Sequence, residues 1–314
     1  MTNLATRSLV ALFGIPLIIG AALLGGIPFF LLIGAISLLS LSEFYSMART
    51  KGVSPQVGTG LVFGFLVNLA FFQPTLERML LPALAGIRVP LPTFAQTFLV
   101  TTLIFLLAVV TVELTRQRQS SLLNGAVTVF GVAYVSMFLG SLIGLREIFV
   151  PSEFPVARHF PVLGLGIPEH VAERIDEWGG LTVATVFSSL WICDSAAYFA
   201  GKAFGKHKLA ERISPNKTLE GAVAGFIAAV VLFPLAKWLF LPYLSVGESL
   251  VCGVIVGVFG QVGDLVESMM KRDSGIKDSS TLIPGHGGML DRFDSLILVA
   301  PLLFLYFDFV VFAR

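Results

Sequence analysis

An all-α integral membrane protein with about nine transmembrane helices is the fold class this sequence predicts. Three observations lead there. Only 13% of the side chains are charged, against about 25% in an ordinary soluble domain. Hydrophobic residues make up 55% of the chain, and the mean hydropathy is +0.87. The third observation decides the matter, because it concerns distribution. Apolar stretches nearly free of charge recur from one end to the other, each near the roughly 20 residues that cross about 30 Å of hydrocarbon as a helix.

In chain order the expected spans are 8–25, 27–47, 56–73, 93–113, 122–145, 179–201, 219–240, 246–269 and 294–312. The first follows Arg7 as a signal peptide would, yet Gly20 to Gly26 lacks a small-x-small cleavage site and a second apolar run begins at once. A retained helix is therefore expected, and the first two runs are close enough to pair as a re-entrant hairpin. The first five spans carry hardly any ionisable groups. Glu43 and Asn68 stand out there and read as helix-end or interhelical groups.

The segment 146–178 that follows is acidic, and Pro168 to Trp178 reads as a short amphipathic helix opened by proline. It is expected to cap the extracytoplasmic side. The chain thus divides into an N-terminal transmembrane region 1–145, this loop, and a C-terminal transmembrane region 179–314.

Lysine and arginine favour cytoplasmic loops. Fourteen of the 21 lie at one set of span ends, including Arg49, Lys51 and the loops 202–218 and 270–293. That places the N-terminus inside and, with nine spans, the C-terminus outside. The two charged loops are separated by two spans, so they share a face. A formal net charge of +1 points away from nucleic acid. Cys193 and Cys252 sit in apolar runs without metal-type spacing and read as small packing residues.

Polar residues with chemical potential begin in the sixth span. Trp191, Asp194, Tyr198 and Gly201 recur at helical spacing and form one stripe. An aspartate inside a membrane helix faces a cavity or a partner, here Lys202 or a backbone donor if not a ligand. In the next loop Lys202, Lys206, Lys208, Arg212 and Lys217 fall within 16 residues, beside Gly205, Pro215 and Asn216. Ser214, Asn216 or Thr218 could cap the following helix and aim free N–H groups at an anion. A positive-inside anchor touching lipid headgroups explains the same loop without a ligand. The glycine spacing is not that of a Walker A loop.

The eighth span places Gln261, Asp264, Ser268, Lys271 and Arg272 on one side of a helix. Then come Lys277-Asp278, a turn Pro284-Gly285-His286-Gly287-Gly288, and Asp291-Arg292-Phe293-Asp294 at the mouth of the last span. Asp291 and Asp294 are three apart, so a helical turn presents both carboxylates together. Carboxylates beside cations and a glycine turn suit magnesium-assisted phosphoryl chemistry. Mg²⁺ takes oxygen ligands and substrate phosphates, and glycines let backbone N–H groups approach phosphate closely. His286 reads as a metal ligand, an acid, or a hydrogen-bond donor to phosphate.

The run Ser268-x-x-Lys271-Arg272, four residues, Lys277-Asp278, then Pro284-x-His286-Gly287-Gly288-x-x-Asp291-Arg292-x-Asp294 resembles the signature of phosphatidate cytidylyltransferases, also called CDP-diacylglycerol synthases. It matches without a gap from 268 to 294. Gly263-Asp264 and the block Asp194 to Gly221 are similar to that family too, so the resemblance covers roughly the C-terminal 40% of the chain. It implies a Mg²⁺-dependent enzyme of the cytoplasmic (inner) membrane that takes CTP and phosphatidic acid and releases pyrophosphate.

On the same resemblance Asp264 and Asp291 hold the metal, with Asp294 as a third ligand and Asp194 ordering a cation or a second metal. Lys271, Arg272, Lys277, Asp278, His286 and Arg292 are then the expected catalytic set. Lys206, Lys208, Ser214, Lys217, Ser268, Gly287 and Gly288 are expected to bind substrate. The 31 glycines permit close helix packing, within one chain or in a homodimer. A lipid kinase or polyprenyl-phosphate transferase would use similar loops. A transporter would instead place its ionisable groups near the bilayer midplane in two related halves.

Overall fold

The structure is a computed structural model, and it describes residues 3–80, 91–116, 118–151, 154–155, 169–283, 285 and 287–313. Helices dominate it: α1 (Asn3–Leu24), α2 (Gly26–Arg49), α3 (Val57–Leu80), α4 (Phe94–Arg116), α5 (Ser121–Glu147), α6 (Glu169–Phe204), α7 (Leu219–Leu239), α8 (Val246–Asp273) and α9 (Leu290–Val311). Eight of these are long and apolar enough to cross a membrane, and α1 contributes a shorter apolar run, Val10–Leu24. A helix lies over each of the nine expected spans, although α3 runs seven residues past its expected end and α6 begins ten residues before its expected start.

Three details differ from the sequence expectation. Residues 169–178 do not form a separate short helix. They are the first turns of α6, which runs unbroken for 36 residues. Ile175 and Trp178 are buried in the core and tie that extension to the bundle, which is why the helix does not break at the membrane edge. Within α5 the backbone widens into a π-helical stretch, Val132–Met137. The cationic loop after α6 is no bare loop either: β1 (Lys208–Ala210) pairs antiparallel with β2 (Ser214–Thr218).

Helices α6, α7 and α8 pack in sequence and α8 packs on α9, making a C-terminal bundle. Helices α2 to α5 make a second bundle, joined to the first where α9 lies along α5 and α1 lies along α6. Close approach of α8 to α9 depends on Gly263. A methyl group added there would meet the Asp294 carbonyl oxygen at 2.5 Å and the Ser295 Cα at 3.0 Å, so only hydrogen lets the two site-bearing helices touch.

The ends of the bundle are tied by polar groups that identify which loops lie together. At one end Arg146 is only 1% exposed. Its guanidinium donates to the carbonyls of Ala22 (2.8 Å) and Leu23 (3.3 Å) and pairs with Asp176 (2.9 Å). It thereby satisfies carbonyls left orphaned at the C-terminus of α1. At the other end Lys51 pairs with Asp273 (3.1 Å), Thr50 donates to the Ser274 carbonyl (3.0 Å), and Arg272 donates to the Ile213 carbonyl (3.3 Å). The loops after α2, α6 and α8 therefore share one end, as the charge pattern requires.

Candidate active site

Two cavities open at that end. The first, about 590 Å³, has an apolar wall from α1, α2 and α6 (Gly14, Ile18, Ile36, Leu190 among them) and a polar wall from α8, α9 and the loop between them. The polar wall carries Asp264, Lys271, Asp278, Asp291, Arg292 and Asp294. The second, about 510 Å³, lies between α6, α7, α8 and the hairpin and is lined by Tyr198, Lys202, Asn216, Lys217, Thr218 and Gln261. Asp194 and Asp264 line both cavities. The stripe expected on the sixth span thus faces two chambers, with Trp191 in the first, Tyr198 and Gly201 in the second, and Asp194 at the junction.

The hairpin supplies Lys217, whose ammonium lies 2.5 Å from Asp264 Oδ2. Asp264 also accepts a 3.3 Å hydrogen bond from Ser268, one turn along α8. Thr218 is the N-cap of α7, its hydroxyl accepting from the Gly221 N–H at 3.2 Å. The capping expected of this loop is therefore made by Thr218, and Ser214 and Asn216 lie in the strand before it. Glu220 accepts from the backbone N–H groups of Lys206 and His207 and pairs with the His207 ring at 2.7 Å, fixing the hairpin base.

Asp291 heads α9 and organises the signature loop. Its Oδ2 accepts from the N–H of Gly288 (2.7 Å), the N–H of Ser279 (2.9 Å) and the Ser279 hydroxyl (3.0 Å). Its Oδ1 takes the Lys271 ammonium at 2.7 Å. Lys271 also pairs with Glu267 at 2.5 Å, and Glu267 is fully buried. The ammonium is thus shared by two carboxylates, an arrangement that balances charges otherwise costly to bury. Among the described residues Asp294 accepts only from the N–H of Ser295 (2.6 Å). Asp194 has no hydrogen bond or ion pair among the described residues.

Several expected residues lie elsewhere. Lys206, Lys208, Ser214, Ser268, Arg272, Lys277, Gly287 and Gly288 line neither cavity. Lys208 is turned to the Pro215 carbonyl (2.6 Å) and braces the hairpin. Gly287, at φ +84°, pairs with Ile283 across the glycine turn, and Gly288 presents its N–H to Asp291. His286 lies outside the described residues. Two residues that sequence reasoning passed over matter here, Glu267 and Ser279; a third, Glu43, expected as a helix-end or interhelical group, bonds the loop before α9. The spacing of Glu267 and Lys271, an i,i+4 pair on one helix face, was a usable signal for the first. Ser279 carries no local signal, and Glu43 was visible only as an isolated acid in an apolar span.

Mg²⁺, which the signature implies, fits this donor set. The first cavity presents five carboxylates (Asp194, Asp264, Asp278, Asp291, Asp294) against two cations, Lys271 and Arg292. An anionic substrate could not enter so acidic a chamber without further positive charge. Among the described residues no three metal-ligating side chains stand close enough to form a ready-made cage. Mg²⁺ needs none, since it is held through one or two carboxylates together with substrate phosphates and water.

Known proteins with similar sequences are named phosphatidate cytidylyltransferases. The phosphatidate cytidylyltransferase of Synechocystis sp. is 32% identical over 303 residues, covering 96% of this chain and 95% of that protein. Those of Bacillus subtilis and Haemophilus influenzae are 46% and 48% identical over 143 and 134 residues, about half of each protein's length. The model of the cytidylyltransferase family matches residues 5–310, and the chain belongs to that family.

Proposed function

We propose that this protein transfers CMP from CTP to phosphatidic acid, giving CDP-diacylglycerol and pyrophosphate, at the cytoplasmic face of the membrane. The observation that carries the reading is the pair of cavities meeting at Asp194 and Asp264. A reaction between a lipid and a nucleotide needs one chamber with an apolar wall and one polar chamber with cations, joined where bonds change. The first cavity supplies acyl-chain contacts along α1, α2 and α6. The second supplies Lys202, Lys217 and the capped N-terminus of α7, where backbone N–H groups and the helix dipole favour phosphate. The names of the similar proteins support the same substrates. The cytoplasmic assignment rests on the gathering of lysine and arginine at this end.

In this reading a phosphate oxygen of phosphatidic acid attacks the α-phosphorus of CTP. A new P–O bond forms there as the bond from the α-phosphorus to the α–β bridging oxygen breaks, and pyrophosphate leaves with that electron pair. The attacking oxygen is already ionised near neutral pH, so the protein need not remove a proton. Its tasks are positioning two polyanions and stabilising charge on the leaving group. Arg292 and Lys271 face the lipid phosphate, and Lys217 and Lys202 face the triphosphate. Asp264 and Asp291, with Asp294, are the residues proposed to hold Mg²⁺, which when bound neutralises triphosphate charge. Asp194, without a hydrogen-bond or ion-pair partner among the described residues, is proposed to orient a further cation.

The test is a nucleotide panel. Purified protein in detergent receives phosphatidic acid, Mg²⁺ and each ribonucleoside triphosphate in turn. Pyrophosphate release and a nucleotide-bearing lipid from CTP, absent with Asp291→Asn, are the expected results. Folded protein that is silent with all four nucleotides would overturn the proposal.

A further inference from the structure

We propose that Glu43, on α2, is a positioning residue that clamps the signature loop and the N-terminus of α9. Glu43 is 6% exposed and lines neither cavity. Its carboxylate nevertheless collects four hydrogen bonds from the loop more than 230 residues away in sequence. Oε1 accepts from the Ser280 hydroxyl (2.6 Å) and the Met289 N–H (3.0 Å). Oε2 accepts from the Ser279 hydroxyl (2.9 Å) and the Leu290 N–H (2.7 Å).

Two features make this a clamp on the site. The first turn of a helix has N–H groups without intrahelical partners, and α9 has no side-chain cap from its own N-cap residue, Met289. Glu43 caps it from another helix, with a negative charge that the helix dipole favours. That turn bears Asp291, Arg292 and Asp294. The Ser279 hydroxyl also lies within hydrogen-bond reach of both Glu43 and Asp291, so the clamp reaches the site carboxylate through one side chain. Gly288 fits the same geometry, because a methyl group there would stand 2.5 Å from Glu43 Oε2. No side chain can occupy 288 while Glu43 holds the loop. Nearby, Lys51 and Thr50 fasten the end of α2 to Asp273 and Ser274. The N-terminal bundle thereby sets the position of residues that the C-terminal bundle carries.

The test joins hydrogen exchange with kinetics on the full-length protein in detergent, comparing wild type with Glu43→Gln and Ser280→Ala. Glu43→Gln replaces one acceptor oxygen by an NH₂ group facing backbone donors. Amide exchange across 279–290 should rise at least about tenfold, with α4 unchanged as internal reference. The kinetic part rests on the transfer reaction proposed above. There kcat should fall at least about tenfold while KM for phosphatidic acid stays within about twofold. Ser280→Ala removes one of the four bonds to Glu43, together with the acceptor of the Leu282 N–H, so its exchange is read at Met289 and Leu290. It should shift both quantities less, in the same direction, and decides the matter if Glu43→Gln does not fold. Unchanged exchange over 279–290 in the folded variants would overturn the clamp. Faster exchange with undiminished kcat would overturn its positioning role. If wild-type protein makes no nucleotide lipid, the transfer reading fails, and exchange alone still decides the clamp.

Discussion

In the N-terminal helices a buried carboxylate is always surrounded by donors. Glu113 accepts from Gln56 (2.9 Å), Asn124 (2.8 Å) and Arg116 (3.1 Å). Glu147 accepts from the Gly26 N–H (2.8 Å) and Thr75 (2.6 Å), and Glu43 takes four bonds. In the C-terminal helices the carboxylates at the cavity junction are left short. Among the described residues Asp194 has no partner, Asp294 has only a neighbouring N–H, and Asp264 has Ser268 and Lys217. Unmet acceptor capacity next to a cavity is where a cation or a substrate can be held. Saturated carboxylates lock helices together. Carboxylates therefore build the frame in the N-terminal bundle and face the cavities with spare capacity in the other, where Asp291, held by four donors at the cavity wall, combines both roles.

Substitutions can break or sharpen this contrast. The largest effect is expected for Asp264→Asn, which should lower kcat by two to three orders of magnitude, about 3–4 kcal/mol of transition-state stabilisation. Its thermal midpoint in detergent should stay near that of wild type. Near-normal turnover in folded Asp264→Asn protein would remove Asp264 from the site. Next is Lys271→Met, which strands the buried pair Glu267 and Asp291 without their shared cation. A loss of about 3 kcal/mol or more is expected, read as a lower melting temperature and partly restored by adding Glu267→Gln.

Glu113→Gln tests the other bundle. It should cost about 1–2 kcal/mol of stability by disturbing three hydrogen bonds and leave turnover within about twofold of wild type. A collapse of activity without a change in melting temperature would contradict the division between frame and chemistry. The smallest effect is expected for Ser245→Ala. It breaks the capping box that Ser245 and Glu248 form at the far end of α8, costing about 1 kcal/mol with no change in kcat.

The spans were legible because a bilayer imposes one crude requirement, about 20 apolar residues, and eight described helices meet it, with α1 adding a shorter apolar run. The stripe Asp194-Tyr198-Gly201 and the pair Asp264 and Lys271 were legible for a similar reason, since helical spacing places such residues on one face, whereas Asp291 and Arg292 were joined to them through the resemblance of the signature. Three features were hidden by longer-range causes. The continuation of α6 through 169–178 depends on Ile175 and Trp178 finding the core, which composition alone does not reveal. The turning of Lys208 to a carbonyl follows from the hairpin, whose strands are only three and five residues long. The clamp of Glu43 on the signature loop joins residues far apart in sequence, and no local pattern in an apolar helix announces its partner.

The central claim is that two cavities joined at Asp194 and Asp264 bring a lipid phosphate to the α-phosphorus of a nucleotide. The most direct measurement follows the fate of each phosphorus atom, using CTP labelled at the α position in one reaction and at the γ position in another. Label from the α position recovered in the lipid, with label from the γ position released as pyrophosphate, is the expected result. Label from the γ position appearing in the lipid, with none from the α position, would make the protein a lipid kinase and contradict the claim.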